Sequence, residues 1–314
     1  MARSIAARLV LTVPVLLLVS LLVFSLLLLI PGDPALVILG PDASPVEVRR
    51  LSRELGTDRP IVVQYAAWLG RALAGDLGRS PRTGQPVVAA VGERLPPTVE
   101  LAVLGMVLAI AGGGALGLAA GWRPGSLIDR ATAWLATLGI AIPTFLLAIL
   151  LILGLSLRAG LLPPSGYVPW RESVAGNLRA MVLPAMTVAA TMAAVIARVV
   201  RSSVLETRGE LYVVTARAKG LSEAAIYLRH VLRNALVPIL AVTGLQVGRL
   251  MGGMVITETM FAIPGIGRLA VDSVLARDFL TVQGVVLVMA LWVLLANLLV
   301  DALNLVVDPR ITRV

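Results

Sequence analysis

The chain has 314 residues, of which 58% are hydrophobic and 14% charged, and its mean hydropathy is +0.92. A soluble domain carries about 25% charged residues, so this composition excludes a water-exposed globule and indicates a membrane protein. The net charge of +9 is nearly all arginine lying between apolar runs, which argues against a nucleic-acid surface, and with no cysteine and a single histidine the chain has no disulfide, sulfur-based zinc site or histidine metal cluster.

The apolar runs predict an all-α polytopic fold with six transmembrane helices, at 9–30, 97–121, 131–157, 180–200, 236–257 and 283–306. Each is near the ~20 residues that a helix needs to cross the hydrocarbon core. Arg3 and Arg8 precede the first run, as in a signal peptide. The run is longer than an h-region and leads into "PGDPA" with no small-x-small cleavage site, so an anchor is expected. The outer loop 31–96 carries ordered-looking pieces: "SPVE" reads as Ser44 N-cap, Pro45 at the first helical position and Glu47 closing a capping box. The amphipathic run "QYAAWLGRAL" and the turn "GDLGRS" follow. A docking surface and a cap over helix ends are both open readings of this loop.

The second span places Gly113, Gly117 and Gly121 on one face, and the fifth does the same with Gly244, Gly248 and Gly252. Such faces let helix backbones approach closely in lipid. The polar side chains within spans are few. Thr187 and Thr191 share a face of the fourth span; Thr243, Gln246 and Arg249 share one of the fifth. A guanidinium at membrane depth needs a wet cavity or a partner, so these five residues are the candidate translocation pathway. With the N-terminus inside, inner segments hold thirteen Lys and Arg against five in the short outer loops. Both termini are then cytoplasmic.

The largest inner loop, 205–235, contains the only lysine, Lys219, and the only histidine, His230. Gly220 breaks the chain before Ser222, a candidate N-cap, which gives a helix, a tight turn and a second helix. On a helix over 222–235, Ala224, Ala225, Leu228, Val231, Leu232 and Ala235 fall on one face, expected to lie on the spans. Glu223, Arg229, His230, Arg233 and Asn234 fall on the other, together with the apolar Ile226 and Tyr227. Such a polar face with two apolar side chains fits a protein partner; an interfacial helix on lipid phosphates is the alternative.

"ARAKGLSEAAIYLRHVLRNALVP" resembles the cytoplasmic coupling loop of the inner-membrane permeases of ATP-binding-cassette importers, within them the dipeptide/oligopeptide/nickel group. Ala216 and Gly220 match the A-x-x-x-G core of that loop, while Val214 and Thr215 replace the Glu-Ala that opens the broader family's pattern. "FSLLLLIPGDPA", "GDLGRS", "RLPPTVELA", "LPPSGY", "LPAMTVA", "ETMFAIPGIGRL", "ARDF" and "NLLVDALNLVVDPR" are similar to that group's recurring stretches, in order. "PGDPA" and the long outer loop resemble the first permease of the pair. The resemblance implies a type I importer permease fold in a prokaryotic cytoplasmic membrane. Residues 1–96 would form the first helix and outer loop, and residues 97–314 a five-helix transmembrane domain. It implies that Ala216, Lys219, Gly220, Ser222, Glu223, Ile226, Tyr227, Arg229, His230 and Arg233 couple to an ATPase. The implied partners are a second homologous permease, two cytoplasmic ATPase subunits that bind ATP and magnesium, an extracytoplasmic solute-binding protein and membrane lipid. The cargo is left open among peptides, nickel, glutathione and related solutes.

The chain's own chemistry agrees. A phosphate-binding loop needs Gly-Lys-Ser/Thr after a spaced glycine, but Lys219 is followed by Gly220 and no glycine stands five residues before it. No cofactor is expected in this chain. Two rivals remain: an ion-coupled secondary carrier, weakened by the lack of a mid-span acid, and a membrane enzyme, weakened by the lack of a base for serine chemistry.

Overall fold

In a bilayer, backbone N–H and C=O groups have to be paired within the chain, and the apolar runs meet that demand as helices. The computed structural model describes residues 2–28, 36, 39–40, 43–56, 59–232, 242–244, 246, 250 and 253–307. The elements are α1 (Ala2–Leu28), α2 (Pro45–Leu55), α3 (Ile61–Leu73), α4 (Val87–Trp122), α5 (Leu127–Ala141), α6 (Thr144–Leu151), α7 (Val174–Gly209), α8 (Leu211–Ala218), α9 (Glu223–Ile226), α10 (Ile266–Leu275) and α11 (Phe279–Val307). Wider π-type turns continue α6 over Ile152–Arg158 and α9 over Tyr227–Val231. Among the described residues there is no strand; Arg79 and Pro86 make an isolated antiparallel bridge.

Among the described residues α4, α7 and the 279–298 part of α11 are long and apolar enough to cross a membrane. The expected first span falls on α1, while most of the expected fifth, 236–257, lies outside the described residues. The third, expected as one helix over 131–157, is divided. α5 and the α6 helix with its π-type continuation meet at a bend of 110°. Pro143 causes the break: it has no N–H to donate, and it forces Ile142 before it into an extended conformation (φ −77°, ψ 121°).

The chain forms two compact units. One comprises Met1, residues 97–263 and residues 295–314. Within it, α4 lies against α7 along a glycine face. A Cβ on Gly113 would strike the backbone of Ala193; on Gly117 it would stand 2.6 Å from the Ala197 carbonyl oxygen, and on Gly121 2.6 Å from the Val204 side chain. The paired numbers rise together, so the two helices run in the same direction. α5 packs on the same helix in the opposite sense: Gly139 meets Ala194 and Ala190, while Asp129 reaches Arg201. At the other end of this unit the Thr98 hydroxyl donates to the buried Glu258 carboxylate at 2.7 Å, and the Tyr167 hydroxyl donates to Glu100 at 2.9 Å.

The second unit comprises residues 2–96 and 264–294. Its core is Val87, Val91, Ile266 and Val285. The expected capping box is present: Glu47 N–H donates to the Ser44 hydroxyl, and Ser44 N–H donates to the Glu47 carboxylate. Tyr65 and Trp68 of α3 pack on Phe24 of α1, with ring centroids 5.5 and 5.8 Å away. "GDLGRS" and "ARDF", distant in sequence, meet here: the Ser80 hydroxyl donates to the Asp278 carboxylate at 2.5 Å, and Thr281 donates to the same oxygen at 2.8 Å.

The glycine face gives a direct expectation. Gly117→Ala pushes a methyl group into a backbone carbonyl that cannot swing away, an overpacking cost of about 1–3 kcal/mol. Gly112→Ala, one face round, meets nothing within 4 Å. Thermal unfolding of the detergent-purified chain is expected to show a lower midpoint for Gly117→Ala and little change for Gly112→Ala.

Candidate coupling site

Residues 205–232 are built on the ends of α4 and α7. α7 stops at Glu210, which is extended (φ −67°, ψ 142°), and α8 follows at once. α8 ends at Lys219, and Gly220 then takes φ +79°. A Cβ at Gly220 would meet nothing within 4 Å, so glycine is required there by conformation and not by space. Ser222 caps the next helix by accepting from the Ala225 N–H at 3.3 Å, as its place after the glycine predicts.

At Ile226 and Leu228 the expected faces are exchanged, while Val231 lies inward as expected. Ile226 is 1% exposed and Val231 also 1%, whereas Leu228, expected to lie on the spans, is 65% exposed. The π-type turns explain the exchange. On an α-helix residues five apart stand about 140° apart, but a helix bonded i to i+5 brings them onto one side. Ile226 and Val231 therefore share the inner face, which α-helical periodicity cannot anticipate. Tyr227 also turns inward. Its ring meets Trp122 edge-on with centroids 4.0 Å apart, and its hydroxyl donates to the Leu118 carbonyl at 2.8 Å. The expectation that Ile226 and Tyr227 offer apolar contacts to a partner is thus corrected: both are used inside this chain. Ala216 is buried as well, beside Val213. Of the residues expected to couple to an ATPase, Lys219, Gly220, Ser222, Glu223 and Arg229 are exposed, as are Arg217, Leu228 and Ala224, the last expected to lie on the spans. The side chain of His230, and Arg233 altogether, lie outside the described residues.

Several contacts that sequence reasoning missed hold the segment. Arg208, in the last turn of α7, donates to the carbonyls of Gly121 and Trp122 at 3.0 and 2.6 Å. These are carbonyls that the end of α4 leaves without helical partners. Arg217 and Glu223 pair through two contacts, at 2.5 and 3.1 Å, across the Lys219–Gly220 turn. The Arg217 guanidinium holds the Glu223 carboxyl below its ordinary range, and the carboxylate raises Arg217. The pair therefore favours the turn above the usual carboxylate pKa and ceases to do so as pH falls through the lowered one. Both groups face solvent, so screening keeps the effect small. Burial raises the Tyr227 hydroxyl, with the Arg208 charge acting weakly the other way, so the phenol remains a donor. A cavity of ≈ 390 Å³ lies among Trp122, Arg208, Arg217, Glu223 and Tyr227. Nearby, Asp129 accepts from Arg201 and from the Gly125 N–H, fixing the α4–α5 turn on α7. Ser126 followed by Asp129 was a readable capping signal; its arginine partner, 72 residues on, was not.

The pathway candidates are placed only in part. Thr187 is buried, and its hydroxyl donates to the Leu183 carbonyl of its own helix at 2.8 Å. Thr191 is half-buried, as is Thr243, and Gln246 is 3% exposed. Arg249 lies outside the described residues.

Known proteins resemble this arrangement over its full length. Residues 113–313 match the family described as binding-protein-dependent transport system inner membrane component, and residues 1–102 match the N-terminal part of such membrane components. A protein of Brucella abortus named as a peptide transport system permease is 43% identical over 99% of both chains. The glutathione transport system permease protein of Escherichia coli is 39% identical over 99% of both. The fold is shared with a solved amino acid ABC transporter (TM-score 0.53, 16% identity, 69% of this chain and 93% of that one). It is also shared with the MetNI methionine ABC transporter in an inward-facing form (TM-score 0.51, 21% identity, 71% and 96%). The chain belongs to the binding-protein-dependent transport family, and is a permease subunit of an ATP-binding-cassette importer of the bacterial inner membrane rather than an enzyme.

Proposed function

We propose that this permease carries peptides or a glutathione-like solute, pairs with a second homologous permease, and is driven through residues 205–235 by two cytoplasmic ATPase subunits. An extracytoplasmic solute-binding protein delivers the cargo, and ATP and magnesium are held by the ATPase subunits, not by this chain. The observation that carries this reading is the segment itself. Its inner side is fastened to α4 through Tyr227 and Trp122, while Lys219, Glu223, Leu228 and Arg229 stand outside on a chain with no phosphate loop. A leucine 65% exposed beside Arg229 fits a protein groove. The peptide and glutathione names of the full-length relatives support the cargo class. The six-span topology with both termini cytoplasmic is supported by the arginine balance and by the alternating directions of α4, α5 and α7. Thr187, Thr191, Thr243, Gln246 and Arg249 remain the proposed pathway residues, and of the last two Gln246 is buried.

Two aspartate substitutions two residues apart separate the docking surface from the chain's own core. Burying one leucine in a partner is worth roughly 1.5–3 kcal/mol, a tenfold to hundredfold change in affinity. Leu228→Asp is therefore expected to leave membrane accumulation unchanged and to weaken co-purification of the ATPase subunits by that factor. Ile226→Asp places a carboxylate inside the chain and is expected to lower accumulation even without partners. Full ATPase recovery with Leu228→Asp would remove the docking role from this face. Topology is checked separately: a reporter fused after Gly209 is expected to be cytoplasmic and one within 45–80 external.

A further inference from the structure

We propose that Tyr227 is the positioning residue through which displacement of the coupling segment reaches α4, and that its contact with the end of that helix stays closed through the transport cycle. This rests on residues 205–235 being the ATPase-docking segment. Among the described residues, two routes lead from the segment into the transmembrane helices. The covalent route runs back through α8 to α7 and crosses two non-helical joints, at Lys219–Gly220 and at Glu210. Each joint is a place where rotation of the segment dissipates before reaching α7. The spatial route has no joint. The Tyr227 hydroxyl donates to the Leu118 carbonyl, and its ring rests on Trp122, four residues on along the same helix.

Those two contacts are one α-helical turn apart, so together they fix both the position and the angle of the segment against α4. The Leu118 carbonyl has a second lone pair for the tyrosine beyond its own helical bond. Close packing on every side does not account for the placement, because the cavity of ≈ 390 Å³ borders Tyr227. The hydrogen bond and the edge-on ring contact set it. What α4 then moves against is α7, across the face of Gly113, Gly117 and Gly121, where α4 offers no side chain and Val200 and Val204 of α7 lie against its backbone. Arg208 keeps the α7 end attached to the Gly121 and Trp122 carbonyls. Displacement entering at Tyr227 is thus delivered to the seam between the two helices at its cytoplasmic end.

The absence of cysteine makes the test clean. Spin labels at Gly114→Cys on α4 and Arg198→Cys on α7 report the seam in the complex with its ATPase subunits, reconstituted in liposomes. Adding ATP, magnesium and vanadate is expected to shift their separation when Tyr227 is present. Tyr227→Leu is expected to lose more than half of that shift while ATPase co-purification and basal hydrolysis stay unchanged. Tyr227→Phe, which removes only the hydrogen bond, is expected to lose a smaller part and guards against a leucine variant that fails to accumulate. A full shift in both variants overturns the proposal, as does the absence of any nucleotide-dependent shift in the chain with Tyr227. Loss of the ATPase subunits from Tyr227→Leu also overturns it, since Tyr227 would then be a docking contact. Failure of the docking reading itself shows elsewhere, as full ATPase recovery with Leu228→Asp.

Discussion

The contact on which the rest of the unit depends is the backbone-to-backbone approach of α4 and α7. In lipid no hydrophobic gain pulls two apolar helices together, so their association rests on close packing. Gly113, Gly117 and Gly121 permit that packing by placing no side chain where α7 already stands. The approach continues to the C-terminal ends of both helices. Arg208 of α7 is thereby within reach of the last carbonyls of α4, and Tyr227 within reach of Leu118. Wider spacing would leave the terminal carbonyls of α4 to solvent and the coupling segment without a platform.

The division of labour follows from the same geometry. Polar interactions concentrate where helices end, because only there does the backbone have groups left to satisfy. Asp129 with Arg201 and Arg208 with the end of α4 tie one helix to another in this way, and Thr98 with Glu258 does so from within α4. A chain organised in this way holds its helices in fixed contact.

Much of this was legible in the sequence. Apolar run lengths marked α4 and α7, the four-residue glycine spacing marked their contact face, and Ser44, Ser222 and Gly220 marked caps and a turn at the right positions. Three features were not legible, each for a physical reason. Pro143 was read as part of a continuous apolar run because hydropathy counts side chains and takes no account of a missing N–H. Ile226 and Leu228 were assigned to exchanged faces because an α-helical period was imposed on a stretch bonded with wider turns. Tertiary ties such as Ser80 with Asp278 and Asp129 with Arg201 join residues far apart in sequence, and local patterns carry no record of them. The resemblance to permease coupling loops picked out the segment but did not distinguish its inner residues from its outer ones.

The claim on which everything functional here rests is that the outer side of this segment meets an ATP-hydrolysing subunit. A photoreactive amino acid at position 229, activated in intact cells and followed by mass spectrometry of the adduct, tests it most directly. Cross-linking to an ATP-binding subunit is the result expected from an exposed Arg229 beside Leu228. Adducts confined to lipid would contradict it and return the segment to the surface of the membrane.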